Sequence, residues 1–402
     1  MRAKLRVAFP PKGMTARRLL MNFLARASLE GDVDVRLGPD QAVVEARTER
    51  DITDVVNTTL VNAGIDLEDI LASKHDFRIH TNDRRWVFAK LGRKLEKGHG
   101  FCQVVSDILK EADLPWDELC RDLSSIKIAP NSVQLGRGAN ISLPQPFLYE
   151  RYQARYEFLR GRGGEKIDFR ATRAWLYLLF AGFATGYCGF FRQPDELVIA
   201  FVPEPTLASV LENESIRKLI LEEGGLFPIM RRLARPPRPA VAYMLYVACE
   251  FALNLKFTWD FVKSTIAQAS ALLEMDRVSF TGQAFTLIEH ISLDFSPLLN
   301  ALAMLRESSI RWIRDKCRRA LIGSRGATEH YGDYARLVTL LFQALMGAAD
   351  PIDACYYALR EVAEHEVEEA RRAGAGAMRM RLEKLRDESR RIRLLLQDLR
   401  RL

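Results

Sequence analysis

"AWLYLLFAGFATGYCGFF", residues 174–191, runs for 18 residues without a charged side chain. No other stretch constrains the fold as strongly. A run of that length stands at the threshold of a membrane-spanning helix. In a chain that stays in water it has to be buried on every side. Its surroundings favour burial: Arg170 and Arg173 precede it, and Gln193-Pro194-Asp195 and then the strand-like "ELVIAFVP" (196–203) follow at once. Gly182, Gly186 and Gly189 would let neighbouring backbones approach it closely. Glu250 interrupts the next longest apolar run, so no second span accompanies it. We therefore expect a soluble core segment and no membrane partner. The opening "MRAKLRVAFPPKG" has no signal-peptide core. The six cysteines are scattered, with no C-x-x-C pair, as reduced thiols are. A cytoplasmic protein is expected.

The chain has 402 residues, 48% of them hydrophobic, enough for two or three domains of about 150 residues each. Its amino-terminal part mixes both element types. "LRVAF" (5–9) reads as a buried strand, "TARRLLMNFLARASLEG" (15–31) as a helix, and "DVDVRL" and "QAVVEAR" as a hairpin around Gly38-Pro39-Asp40. "ERDITDVVNTTLVNAG" reads as a helix stopping at Gly64. "FRIHT" and "RRWVFAKL" read as a further strand pair, and "SIKIA" and "SVQLG" as a hairpin around Pro130-Asn131. Beyond "RRLARPPRPA" (231–240), whose prolines forbid a continuous helix, the periodicity reads as helical throughout, "TWDFVKSTIAQASALLEM" and "SFTGQAFTLIEHISL" included. The expected class is α+β. A mixed α/β domain covers 1–145, a connecting helical region with one strand covers 146–238, and a helical bundle covers 239–402.

Basic residues outnumber acidic ones by 59 to 52, a formal net charge of +7. Residues 371–402 alone hold 11 Arg and Lys against 4 acids, so the rest of the chain balances. Partners must therefore be read from patches rather than from the total. "RRWVFAKLGRKLEK" groups Arg84, Arg85, Lys90, Arg93, Lys94 and Lys97 around Trp86 and Phe88. On a strand, Arg84, Trp86, Phe88 and Lys90 would share a face that stacks bases and neutralises phosphates. The alternative is an edge strand guarded by charge. "YERYQARYEFLRGRGGEKIDFRATR" (149–173) would place Tyr149, Tyr152 and Tyr156 on one helical face and Arg151, Arg155 and Arg162 on the next. "RESSIRWIRDKCRRALIGSRG" (306–326) would align Arg311, Arg314, Arg318 and Arg325 opposite Ile310, Ile313, Cys317 and Leu321. Such a stripe can track several phosphates. Each could equally be the solvated side of a packed helix. The last helix repeats Leu385, Ile392 and Leu399 every seven residues, a seam that wants a partner helix in the bundle or on another subunit.

Catalytic signatures are missing. Glu361, His365 and Glu368 share a helical face but lack a second ligand helix, so we read a solvated acidic face and expect no metal. "GRGANIS" and "GRGG" lack the context of a phosphate loop, no G-x-S-x-G occurs, and no Cys–His pairing suggests a nucleophile. The chain reads as a non-enzyme without a cofactor.

In its order of parts the chain resembles the large subunit of archaeal type I-A CRISPR surveillance complexes, which serve antiviral defence. The likeness lies in a mixed amino-terminal part, "ATRAWLYLLFAGFATGYCGFF" running into "ELVIAFVPEP", and then a helical carboxyl-terminal bundle. It spans most of the chain and carries no diagnostic short motif. It implies a non-catalytic subunit beside the 5′ end of a guide RNA. That subunit would read a short motif on target DNA, help hold the displaced strand, and dock other subunits and a helicase–nuclease. On charge alone, the patches at 84–97 and 149–162 would touch duplex and guide, and the stripe at 311–325 the displaced strand. The competing expectation is a helical protein–protein adaptor working through the leucine seam at 382–402 and the aromatic helix at 241–257.

Overall fold

A computed structural model of the chain describes residues 2–95, 98–129, 131–149, 168–192, 195–233, 240–254, 270–282, 284–322, 331–362 and 378–402. Helices and strands are mixed, and the chain divides into two compact units. The first comprises Met1–Glu222, Ala234–Pro236 and Leu273–Ser292; the second comprises Glu223–Leu233, Pro237–Leu272 and Leu293–Leu402.

The first unit begins with β1 (Ala3–Ala8) and α1 (Thr15–Ala27), followed by the hairpin β2 (Asp34–Leu37) and β3 (Gln41–Ala46). These strands form an antiparallel sheet in the order β1-β3-β2. A capping box opens α2 (Glu49–Leu71): Asp51 N–H donates to Thr48 Oγ1 at 3.2 Å, and Thr48 N–H to Asp51 Oδ2 at 2.9 Å. α2 does not stop at Gly64 as its sequence suggests. It continues to Leu71, because Gly64 is where α4 (Phe101–Lys110), which follows the short α3 (Thr81–Asp83), lies against it, with Ser106 Oγ donating to Gly64 O at 2.8 Å. After α5 (Trp116–Leu123) comes a second sheet. Its strands are β4 (Ile126–Ala129), β5 (Ser132–Leu135), β6 (Ile141–Ser142) and β7 (Asp168–Ala171), in the order β4-β5-β7-β6. The β4–β5 hairpin is antiparallel and β5 pairs with β7 in parallel.

The uncharged run splits into two elements. It forms α6 (Arg173–Gly186), buried from Ala174 to Gly186, and then β8 (Tyr187–Phe191), which pairs with β9 (Glu196–Phe201). Among the described residues, no helix is long and apolar enough to cross a membrane. A Cβ at Gly182 would stand 1.9 Å from the Leu19 carbonyl oxygen of α1, so only glycine admits this approach. Buried Asn22 of α1 holds the junction: its amide donates to Gly182 O at 3.2 Å and Ala200 O at 2.9 Å, and its oxygen accepts from Val202 N at 2.9 Å. Gly182→Ala is expected to force the two helices apart at a cost of about 1–3 kcal/mol or more. A thermal melt tests this, and an unchanged midpoint would show that α1 and α6 are not in contact. Two helices, α7 (Glu204–Glu212) and α8 (Glu214–Leu221), follow β9.

The largest correction concerns residues 272–294, which the periodicity places in two helices. They form β10 (Leu272–Phe280) and β11 (Phe285–Asp294), which complete a sheet in the order β11-β10-β9-β8. β11 alternates buried and exposed positions, with Phe285, Leu287, Ile291 and Leu293 facing inward. Arg277, 2% exposed, ties the three strands by donating to Glu196 at 2.7 Å and to Glu289 at 2.6 Å.

In the second unit every described element is helical, namely α9 (Leu226–Arg232), α10 (Ala240–Leu253), Ser296–Leu302, Glu307–Ile322, Tyr331–Leu345, Pro351–Tyr357 with a π-helical continuation Ala358–Val362, and Met378–Leu399. The chain leaves one helix after Leu302 and enters the next at Glu307. Ile310, Ile313 and Cys317 face the core, as the amphipathic spacing requires. Ile392, Leu395 and Leu399 are buried where the last helix packs against Glu307–Ile322 and Pro351–Tyr357, and Leu385 is half-buried. The seam thus meets helices of its own chain.

Candidate nucleic-acid interface

The segment "RRWVF" is not a strand. A three-residue helical turn, Thr81–Asp83, runs into a π-helical turn, Arg84–Phe88, in which Ala89 N–H donates to Arg84 O at 3.1 Å. His80 Nδ1 caps the start by accepting from Asn82 N–H at 3.1 Å. The turn buries adjacent residues, Val87 and Phe88, which a strand with one wet face does not do. Phe88 packs against Phe101 and Phe180, with ring centroids 5.7 and 6.3 Å away. Trp86 therefore does not share a face with Phe88. It stays 45% exposed, with the Arg85 guanidinium 4.7 Å from its ring centre.

Upstream, Phe77 anchors the chain between Phe101, Phe190 and Phe285, with centroids 5.0 to 5.6 Å away. Tyr187 OH donates to His75 O at 2.7 Å, and backbone bridges pair His75 with Phe190 and Arg78 with Gly100. "FRIHT" thus makes isolated bridges rather than a strand. Asp76 turns onto the start of α4. Its Oδ1 accepts from Phe77 N at 2.7 Å and Cys102 N at 3.0 Å, and its Oδ2 from Gln103 N at 2.9 Å. Its negative charge is thereby engaged by a helix N-terminus.

These anchors outline a cleft of about 590 Å³ lined by Asp76, Phe77, Arg78, Arg84, Gly98, His99, Gly100 and Arg192. Arg192 comes from the end of β8, which the Phe77 cluster holds beside residues 75–78. Arg78 and Arg192 are exposed and Arg84 half-buried, and among the described residues none of the three has a carboxylate partner. Of these, sequence reasoning named only Arg84. Arg78 was within reach, since it follows a buried Phe77 in an alternating stretch. Arg192 was not, because nothing local ties it to residue 78.

The remaining expected residues fare unequally. Lys90 and Lys94 are exposed beside the cleft segment, whereas Arg93 is paired with Glu111 at 2.7 Å. Lys97, Arg151, Arg155, Arg162 and Arg325 lie outside the described residues, as do Tyr152 and Tyr156. Tyr149 offers no stacking face: it is fully buried and its hydroxyl donates to Asp276 at 2.5 Å. Arg311 pairs with Glu307, Arg314 lies 3.8 Å from Glu250, and Arg318 is exposed without a partner among the described residues. His365 and Glu368 lie outside the described residues, as does the side chain of Glu361. Among the described residues no group of three or more His, Cys, Asp or Glu could hold a metal ion. All six cysteines are free, and burial pushes the thiols of Cys102, Cys249 and Cys317 well above their usual range, away from the reactive thiolate.

A second charged cluster escaped the sequence altogether. Arg18 of α1 donates to both oxygens of Asp276 and, at 3.2 Å, to Glu274, while its guanidinium lies 3.7 Å from the Phe201 ring centre. His290 Nδ1 sits 2.8 Å from Asp276 Oδ1. Burial pushes the Asp276 carboxyl up, but the Arg18 charge and the hydrogen bonds from His290, Arg18 and Tyr149 prevail and hold it below its ordinary value. The cluster ties α1, Tyr149 and the β10–β11 hairpin together. Its local signal was the period-two alternation of 285–294.

No family model, curated protein or solved structure matches this chain.

Proposed function

We propose that the chain is a non-catalytic nucleic-acid-binding subunit, with the cleft at Arg78, Arg84 and Arg192 as its phosphate site. The supporting observation is that three arginines, Arg192 brought from far along the chain, line one cavity, and none of them has a carboxylate partner among the described residues. Most arginines elsewhere in the first unit are paired: Arg93 with Glu111, Arg170 with Asp168, Arg173 with Glu118, Arg277 with Glu196. Unpaired convergent guanidiniums suit phosphate oxygens, which they engage by forked hydrogen bonds. Trp86, two residues after Arg84 and exposed, adds a ring on which a base can stack. In the fuller form of this reading the α+β body carries a helical carboxyl-terminal bundle and works in the cytoplasm within an RNA-guided complex. It would serve there as the large subunit, contacting guide RNA and target DNA beside partner subunits and a helicase–nuclease.

Binding to labelled single- and double-stranded nucleic acid should weaken steeply with salt. Arg78→Ala and Arg192→Ala should each lower the log–log salt slope by about 1. A slope that neither variant changes would remove the cleft from the reading. Short RNAs sharing one 5′ end and co-purifying with the chain from its native cells would support the guide-bound form.

One observation favours a protein-docking reading instead. Ile352, Tyr356 and Leu359 are 45%, 62% and 43% exposed at helical spacing along Pro351–Tyr357 and its continuation. Partners that persist at high salt, with no nucleic acid bound, would favour it.

A further inference from the structure

We propose that the cleft receives a phosphate monoester terminus, at the end of a strand or on a free nucleotide, rather than an internal stretch of backbone. The proposal rests on the reading of the cleft as a phosphate site and names what that site selects. Three observations carry it.

The first is charge density. Arg78, Arg84 and Arg192 place three permanent positive charges around one cavity, and Asp76, the one acid among its described lining residues, faces the amides of Phe77, Cys102 and Gln103. An internal phosphodiester brings one negative charge to such a site, whereas a terminal monoester carries about −1.5 to −2 at neutral pH. The dianion, with one more oxygen free to accept, compensates the three forks better.

The second is size. About 590 Å³ falls within the range of small-ligand clefts, roughly 300–1,000 Å³. That suits one nucleotide end, while a tracking groove engages successive phosphates along a strand.

The third is preorganisation. Arg78 follows the Phe77 anchor and is bridged through its backbone to Gly100, and Arg84 opens a π-helical turn pinned by buried Val87 and Phe88. Held backbones lower the ordering cost of gripping one small group. The site does not depend on the α4 helix N-terminus, which Asp76 already occupies.

The test uses the full chain and short single strands of one sequence, with hydroxyl or monophosphate ends. Phosphorylated strands should bind about tenfold or more tightly, a difference near 1.4 kcal/mol. Arg78→Ala and Arg192→Ala should erase that preference, while Arg336→Ala, on a helix of the other unit, should leave it. Arg78 and Arg192 are exposed, so thermal midpoints should not move. Inorganic pyrophosphate should compete. Equal competition by a nucleoside triphosphate would identify free nucleotide as a source, and competition by phosphorylated strands alone would identify strand ends. Hydroxyl and phosphate strands bound equally, yet weakened by Arg78→Ala, would overturn the terminus proposal and leave the phosphate site standing. Binding indifferent to both variants would overturn both.

Discussion

Glu388→Ala is expected to destabilise the protein by about 3–5 kcal/mol, the usual consequence of stripping one partner from a buried ion pair. Lys316 is 1% exposed on the helix Glu307–Ile322, and its ammonium lies 2.5 Å from Glu388 Oε1 on the last helix. The same oxygen accepts from Trp312 Nε1 at 2.9 Å, and Arg391 approaches the other at 3.9 Å. Removing the carboxylate withdraws this acceptor from a buried ammonium and from an indole N–H, and the loss should appear in urea unfolding. Glu388→Gln should cost less, because its carbonyl still accepts from Trp312. Lys316→Met combined with Glu388→Leu should recover most of the loss, since replacing both charges with apolar groups removes the desolvation cost as well. A cost below about 1 kcal/mol for Glu388→Ala would mean that the pair behaves as an exposed one.

The second large effect is pH-dependent. Burial pushes the Asp83 carboxyl up to about 7, against a smaller downward pull from the Gln145 backbone N–H, which donates to it at 3.1 Å. The folded chain therefore holds this proton until near pH 7, whereas the unfolded chain releases it near the ordinary 3.8. Between those values the unfolded state binds fewer protons. Asp83's contribution is thus fully present below about pH 4, declines as pH rises through the window, and levels off above 7. From pH 5 to pH 8 the loss amounts to ~3 kcal/mol. Asp83→Asn keeps an oxygen for Gln145 and cannot ionise, so its stability should decline less over that interval. Urea unfolding of both proteins at the two pH values checks this. Parallel losses would show that Asp83 is ionised throughout. The residue directly precedes Arg84 of the cleft, so a destabilised turn at high pH should also weaken ligand binding there.

Several elements were legible in the sequence because their information is local. Gly38-Pro39-Asp40 marks a hairpin by turn chemistry, and β2 and β3 form around it. Leu19, Leu20, Phe23 and Leu24 mark α1 by helical period, and all four are buried. The uncharged run announces burial, although only the fold shows that it breaks at Gly186 into helix and strand. Other readings failed where two periods compete. "RRWVF" alternates like a strand, yet adjacent Val87 and Phe88 are both buried, which suits a helical turn wedged against Phe101. "FTLIEHISLD" fits a helical reading over a few residues, but its alternation over the whole length is that of β11.

The amino-acid sequence by itself determined the mixture of helix and strand, the burial of residues 174–191, and the clustering of arginine around Trp86. Each follows from side-chain periodicity and backbone preference over a few neighbouring residues. Only the tertiary structure decided which arginines are paired with a carboxylate. Arg93 meets Glu111 and Arg314 meets Glu250, whereas Arg78, Arg84 and Arg192 line one cavity and have no carboxylate partner among the described residues. Coulomb attraction and hydrogen bonding act over a few ångströms in space and carry no memory of separation along the chain. A charge therefore becomes a partner or a site only when folding brings its neighbours within that reach.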